Sequence, residues 1–148
     1  MASKQTLAVV AAAIAFVFLP ALASATDHVV GDGLGWTLGI DYAAWAEGKQ
    51  FRVGDTIAFK YSNVFHNVAE LGGQDFRACN KAAASSIWNS GEDRLTLDRP
   101  GRRWFICAVN DHCQRGMKLN VTVLPGTPAP APAPAPAPRP SRRFLSRW

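Results

Sequence analysis

The feature that most constrains this chain is the stretch from Trp104 to Val123, which contains three side chains able to bind a metal. Cys107, His112 and Met117 follow one another at five-residue intervals. A thiolate, an imidazole and a thioether are soft or borderline ligands, which suit copper better than magnesium, calcium or a structural zinc ion. The stretch therefore predicts a metal site, with copper as the expected ion.

A second imidazole, His66, lies upstream in a run with strand-like composition. Two histidines and one cysteine in a trigonal plane, with a long axial methionine, make a blue copper site. We therefore expect a protein that binds one type 1 copper ion and transfers one electron at a time. An enzyme is not expected, because the chain has three histidines in total and a trinuclear copper centre needs many more.

The amino-terminal residues have the pattern of a secretory signal peptide. Lys4 is followed by an apolar run from Leu7 to Leu19, and Ala23-Ser24-Ala25 matches a cleavage site of the A-x-A type. This run is too short for a membrane span. We predict a signal peptide over residues 1–25, a folded domain over residues 26–124, and a secreted, extracellular protein.

Residues 125–148 have a different composition from the domain. Alanine and proline alternate from Pro128 to Pro138, which favours polyproline II and excludes helix or sheet. This disordered, Ala/Pro-rich tail is expected to act as a spacer or as a glycosylation platform. The last residues lack the apolar run that a GPI signal requires, so GPI anchoring is not indicated.

The basic charge of the chain lies outside the predicted domain. Residues 26–124 contain 11 Lys and Arg and all 11 Asp and Glu, and the excess of +5 comes from Lys4 and four arginines of the tail. A neutral domain with a short basic tail does not indicate nucleic-acid binding. We expect a monomer whose partner is an unidentified redox partner, either a small molecule or a protein.

Three cysteines leave one without a partner in an oxidising compartment. If Cys107 binds the metal, Cys79 and Cys113 remain to pair, next to His112. Bridges that use Cys107 stay open as alternatives at this point.

Short apolar runs separated by turns at intervals of about ten residues predict an all-β Greek-key β-sandwich with one or two short helices. Strands are expected over residues 56–61, 66–71, 104–109 and 117–123, with a helix over residues 75–84. Trp36, Trp45 and Phe51 are expected to be core or pocket aromatics.

The last predicted strand alternates strictly. One parity, expected to face the core, is apolar and comprises Met117, Leu119, Val121 and Val123. The other parity contains Asn120 and Thr122 of an N-glycosylation sequon, which must be exposed to be modified. Both features agree on one register, so Asn120 is a predicted glycosylation site.

The chain resembles the phytocyanins, the plant members of the cupredoxins, over nearly all of residues 26–124. The motifs responsible are Val30-Gly31-Asp32 with Gly35-Trp36, Val53-Gly54-Asp55, His66-Asn67-Val68, Trp104-Phe105-Ile106-Cys107, His112-Cys113 and Gly116-Met117-Lys118. The resemblance implies a cupredoxin-like fold. It also implies the copper ligands, which are His66, Cys107, His112 and Met117, and a disulfide between Cys79 and Cys113.

The same resemblance implies roles for two further features. Asn67 would hydrogen-bond across to the ligand loop, and His112 would be the exit for the electron. An axial methionine together with an Ala-Pro tail is most similar to the uclacyanins. An alternative is a cell-wall structural or signalling glycoprotein of the early nodulin-like type, in which ligand residues are lost and copper is not used; here all four ligand residues are present.

Overall fold

The computed structural model describes residues 24–126. Residues 1–23 of the predicted signal peptide and residues 127–148 of the predicted tail lie outside the described residues. The strands are β1 Asp27–Val29, β2 Phe51–Arg52, β3 Thr56–Lys60, β4 Val68–Leu71, β5 Ser86–Trp88, β6 Glu92–Thr96, β7 Gly101–Ile106 and β8 Lys118–Leu124. The helices are α1 Tyr42–Glu47 and α2 Gly73–Ala78, and 3-10 turns occur at Asp32–Leu34 and Lys81–Ala83.

The strands form two sheets. One has three strands in the order β1-β3-β6, and the other has five in the order β2-β8-β7-β4-β5. β1 runs parallel to β3 and β2 parallel to β8, whereas the remaining pairs are antiparallel. The prediction of an all-β sandwich with two short helices is confirmed.

The main core lies between the sheets because each sheet turns one apolar face inward. Ile57 and Phe59 of β3 are fully buried, as are Phe105 of β7 and Val121 of β8. The rings of Phe59 and Phe105 lie 5.2 Å apart between centroids and join the two layers. Burying such side chains stabilises the fold by roughly 1.5–3 kcal/mol each.

A smaller apolar cluster covers the outer face of the five-stranded sheet. Ala69 and Ile106 are buried there beneath Phe76 of α2. The disulfide between Cys79 and Cys113 belongs to this cluster, with a Cα–Cα distance of 5.8 Å. The bridge thus fixes the end of α2 to the loop between β7 and β8.

Strand β8 is the longest strand within residues 24–126, with seven residues. Its inward residues are buried and its outward Asn120 and Thr122 are exposed, as the alternation predicted. β7 ends at Ile106 opposite Lys118, the first residue of β8, so Cys107 and Met117 lie at the same end of the sheet. Six steps of about 3.3 Å each, from Lys118, place Leu124 roughly 20 Å away at the other end of the strand.

Two local predictions were wrong, and one helix was not predicted. The predicted helix 75–84 is the shorter α2 followed by a 3-10 turn, because Cys79 takes a left-handed φ of 50° and ends the helix. The predicted strand 66–71 begins only at Val68, so His66 lies in the turn before β4. Helix α1 was not predicted; it begins after Asp41, whose side chain accepts a hydrogen bond from the backbone nitrogen of Ala44.

Both helices have six residues, and no helix within residues 24–126 is long and apolar enough to cross a membrane.

Candidate metal centre

Three predicted ligand side chains meet at the end of the sandwich where β7 stops and β8 starts. Nδ1 of His66 lies 3.3 Å from Nδ1 of His112, and Sγ of Cys107 lies 4.0 Å from the first nitrogen and 3.4 Å from the second. Within residues 24–126 this is the one group of three or more His, Cys, Asp or Glu side chains whose donor atoms could share a metal ion.

These distances fit a trigonal metal site better than a set of hydrogen bonds. A hydrogen bond between the imidazoles would need a proton on one Nδ1, whereas both nitrogens face the same sulfur. By triangle geometry, one point in the plane of the three donor atoms lies about 2.1 Å from each, which is close to the metal–nitrogen and metal–thiolate lengths of such sites. The residues present therefore fit a bound metal ion with two nitrogen ligands and one thiolate.

The position of His66 is set by a tight turn at the end of β3. The backbone nitrogens of Phe65 and His66 both donate to the carbonyl of Ser62, at 3.1 and 3.0 Å. Asn67 follows, and β4 begins one residue later. The turn directs the imidazole toward the end of β7 and leaves Val64 and Phe65 exposed at 78% and 64%.

Residues 107–117 form a loop that folds back on itself. The backbone nitrogen of Cys107 donates to the carbonyl of Met117 at 3.0 Å, and that of Met117 donates to the carbonyl of His112 at 2.9 Å. A further hydrogen bond runs from His112 to the carbonyl of Val109 at 3.1 Å. Three of the four predicted ligands are therefore joined through their own backbone.

Met117 is buried at 1% exposure and lies directly before β8, on the same parity as the core residues of that strand. Its backbone is hydrogen-bonded to the backbones of Cys107 and His112, so residue 117 lies at the same end of the sheet as those two predicted ligands. A thioether at this place is the expected weak axial ligand of a copper site.

A chain of hydrogen bonds braces the two sides of the site against each other. Oδ1 of Asn67 accepts from the backbone nitrogen of Ala108 at 2.8 Å, which is the cross-link implied by the family resemblance. The indole nitrogen of Trp36 donates to the carbonyl of Asn67 at 2.9 Å. Asn67 is thereby held from both sides, between the turn with His66 and the residue after Cys107.

The sequence predicts a core or pocket aromatic at Trp36, but it does not predict the hydrogen bond from Trp36 to Asn67. Trp36 is fully buried, and its neighbour Thr37 exchanges two hydrogen bonds of 2.7 Å with the hydroxyl of Tyr42 on α1. Burial raises the pKa of Tyr42 to about 12, against the hydrogen bond with Thr37, and the charge of Cys107 adds to the rise. The phenol therefore stays protonated, and no sequence pattern identifies this brace.

The disulfide holds the loop from the outside. Cys113 follows His112 directly and is bonded to Cys79 at the end of α2. Nζ of Lys81 donates a further hydrogen bond of 3.2 Å to the carbonyl of Asn110 in the same loop. Cys107 is the free cysteine and is buried, which leaves its thiolate for the metal.

The electrostatics of the site favour metal binding. Burial and then the neighbouring imidazole of His112 lower the pKa of His66 below its ordinary value. The neutral ring is the form that binds a metal, so this shift keeps His66 ready to bind at neutral pH. Both imidazoles are half-buried, whereas Cys107 and Met117 are fully buried.

Comparison with known proteins agrees with this geometry. A family model described as a plastocyanin-like domain matches residues 36–117. Blue copper protein 1a of Medicago truncatula is 43% identical over 131 residues, covering 87% of this chain and 80% of that protein.

Two solved structures give the same result. Cucumber stellacyanin superposes with a TM-score of 0.64 at 34% identity, covering 70% of this chain and all of that one. Cucumber basic protein, a blue copper protein, gives a TM-score of 0.61 at 39% identity, covering 67% of this chain and all of that one. The fold, the cluster of donor atoms and these relatives together place the chain in the phytocyanin family of plant blue copper proteins.

Proposed function

We propose that this protein carries single electrons on one type 1 copper ion bound by His66, Cys107, His112 and axial Met117. The observation that supports this most directly is the convergence of two imidazole nitrogens and one thiolate sulfur on a common point. Copper, when bound, supplies a Cu(II)/Cu(I) couple that accepts and releases one electron.

The side chains perform three tasks in this function. The thiolate of Cys107 and the two imidazoles would bind the copper ion. The buried thioether of Met117 would tune the reduction potential of the ion from the axial side. The hydrogen bonds through Asn67 hold the two histidine-bearing segments at fixed separation, so little rearrangement accompanies a change of charge. Burial of both sulfur ligands excludes water from that side of the site.

The imidazoles are the most direct route for the electron to the surface. His66 and His112 are half-buried, and Val64 and Phe65 form an exposed apolar surface beside His66. The partner is an unidentified small molecule or protein that approaches this end. We propose no enzymatic reaction, because all the ligand side chains are assigned to holding the ion.

Metal titration tests the proposal. The mature chain should bind one equivalent of Cu(II), develop an intense blue thiolate-to-copper absorption and show a reversible one-electron wave in voltammetry. Cys107→Ser should abolish the colour, and Ser90→Ala, which removes a hydroxyl outside the ligand set, should not. A folded, oxidised chain that stays colourless with copper would instead favour the early nodulin-like alternative.

We also propose that the protein is exported to the apoplast or cell wall after loss of residues 1–25, with the folded domain over residues 26–124. Residues 125–148 would act as a spacer that contacts cell-wall polysaccharide. Fractionation of plant tissue tests this, because a protein held in the wall by such contacts should be found in the cell-wall fraction and be released from it by salt.

Export would expose Asn120 to N-glycosylation. Asn120 and Thr122 are exposed on β8 and line a cavity of about 310 Å³ together with Ala43 and Ala46 of α1, which gives space beside the acceptor amide. Removal of N-glycans should increase the mobility of the secreted protein in gels. Both Asn120→Gln and Thr122→Ala should abolish that shift, whereas Asn89→Gln should leave it intact.

A further inference from the structure

One hydrogen bond joins the start of the domain to a buried carboxylate. The backbone nitrogen of Thr26 donates to Oδ1 of Asp55 at 2.9 Å, and the carbonyl of Thr26 accepts from the backbone nitrogen of Thr56, also at 2.9 Å. Thr26 as a whole is exposed to solvent, although its main chain makes both of these hydrogen bonds. Its main chain therefore extends the parallel pairing of β1 with β3 by one residue toward Asp55.

Asp55 is 5% exposed, so its carboxylate needs compensating partners. Oδ2 accepts from the backbone nitrogen of Arg52 at 2.8 Å and lies 3.1 Å from Nε2 of His28, which is the titratable group facing it from β1. The guanidinium of Arg52 contacts the carbonyl of Pro125 and Oε1 of Gln50 instead. The polar partner at Oδ1 is the nitrogen of Thr26.

The sequence Ala23-Ser24-Ala25 predicts signal-peptide cleavage between Ala25 and Thr26. Hydrolysis there breaks one peptide bond, adds the hydroxyl of water to the carbonyl carbon of Ala25 and a hydrogen to the nitrogen of Thr26, and the new amine takes a proton from solvent. We propose that this cut creates an ion pair between the α-ammonium of Thr26 and the carboxylate of Asp55, which locks β1 onto β3 in the mature chain.

The space for this change is present. Ser24 and Ala25 line a cavity of about 130 Å³ beside Gly54 and Asp55. Their removal opens the cavity to water, which can accept the two ammonium hydrogens that do not face Asp55. The ion pair then replaces a neutral amide donor without movement of the backbone.

The added stability comes from the positive charge on the nitrogen of Thr26. A hydrogen bond from a charged donor to a carboxylate is about twice as strong as one between neutral groups. A nearby carboxylate also favours the protonated form of an amine, whose ordinary pKa is about 7.7–8.0. This inference rests on the proposed removal of residues 1–25 and does not depend on copper.

The first test is the amino terminus of the secreted protein. The full chain is expressed in a plant secretory host, and the purified product is analysed by intact-mass and peptide mass spectrometry. Thr26 is expected as the first residue, with a free amine. Any other first residue, or a blocked amine, would overturn the proposal.

The second test compares two chains, one starting at Thr26 and one at Ser24, both ending at Trp148. The longer chain keeps the neutral amide at residue 26. At pH 6.5 the unfolding equilibrium constant of the shorter chain should be about fivefold smaller, since it has the charged donor. In an Asp55→Asn background the difference should vanish. Equal stability, or a difference that persists without Asp55, would refute the ion pair.

A pH series keeps the test decisive if Asp55→Asn does not fold, since that carboxylate also contacts His28. The ammonium is a group whose pKa is raised by folding, so its contribution is complete below the unfolded value of about 8 and is lost as pH rises through the folded value. The advantage of the Thr26 chain should thus be full at pH 6.5 and absent by about pH 11. An advantage that does not change with pH would contradict the proposal.

Discussion

The backbone amide of Ala108 donates a 2.8 Å hydrogen bond to the side-chain carbonyl of Asn67, across 41 residues of sequence. Each partner is the immediate neighbour of a proposed ligand, Cys107 in one case and His66 in the other. The bond therefore sets the separation between the two segments that supply the thiolate and the first imidazole.

Asn67→Leu should loosen this separation. Loss of the acceptor leaves the partly buried amide of Ala108 without its partner, which costs about 1–3 kcal/mol. We expect a lower free energy of unfolding and weaker Cu(II) binding in a competition titration. Asn89→Leu, at an exposed asparagine, is the control, and equal copper affinity in both variants would contradict the assigned role.

Met117→Gln should keep the blue colour and lower the reduction potential. An amide oxygen is a harder ligand than a thioether and stabilises Cu(II) relative to Cu(I). Voltammetry of the variant and of the unmodified protein measures the shift. An unchanged potential would show that residue 117 does not act as the axial ligand.

Removal of the disulfide should lower the stability of the protein while its ability to bind copper is retained. Cys79 and Cys113 are 34 residues apart, and closing a loop of this length contributes about 3–4 kcal/mol in the chain-entropy model. Cys79→Ala combined with Cys113→Ala should lower the free energy of unfolding of the metal-free protein by that amount, measured as a lower midpoint in urea denaturation. Copper should restore part of the loss, because a ligand that binds only the folded state stabilises it. A midpoint equal to that of the unmodified protein would contradict this account.

Asp55 should make stability sensitive to acid. Burial raises its pKa, but hydrogen bonds from the backbone of Thr26 and Arg52 and from His28 outweigh burial and hold the pKa below its ordinary value of 3.8. A lowered pKa gives stability that is present above the unfolded value and lost as pH falls through the folded value.

The test is urea unfolding from pH 7 to pH 2. Asp55→Asn should reduce the free energy of unfolding at pH 7, and the gap to the unmodified protein should close below about pH 4. The exposed Glu47→Gln serves as the matched control with no such gap. A gap that stays constant in acid would assign the effect to packing instead of charge.

A charge placed beside the half-buried His66 should slow electron exchange. Phe65 is 64% exposed and precedes His66 directly, so Phe65→Asp adds a negative charge where two copies or a partner must approach. We expect slower self-exchange at low ionic strength and recovery as salt screens the charge. Thr96→Asp, on β6, should exchange at the unmodified rate; equal slowing in both would exclude this route.

The sequence predicted those features of the fold that follow from the alternation of buried and exposed residues along a strand. The alternation from Met117 to Val123 specified which residues are buried, and the structure agrees at every position. The helix after Gly72 was predicted too long because its end depends on the left-handed backbone of Cys79, which a helical pattern does not encode.

Convergence of the site was less accessible to sequence reasoning. The five-residue spacing indicated three ligands in one loop, but His66 joins them only because its turn packs against the end of β7, and the family resemblance supplied that link. Contacts such as Trp36 with Asn67, or Thr26 with Asp55, join segments about 30 residues apart and follow no periodic pattern.

Because β8 begins beside the ligand loop and ends at Leu124, the two ends of the domain lie at different distances from the proposed copper ligands, and electron transfer is expected to be faster at the near end. An electrode linker or a matrix joined to the carboxyl end meets the domain roughly 20 Å from the thiolate, with the packed core in between. Immobilisation through that end should leave soluble electron donors free to react while direct current to the support stays weak. Attachment near Phe65 should reverse both effects.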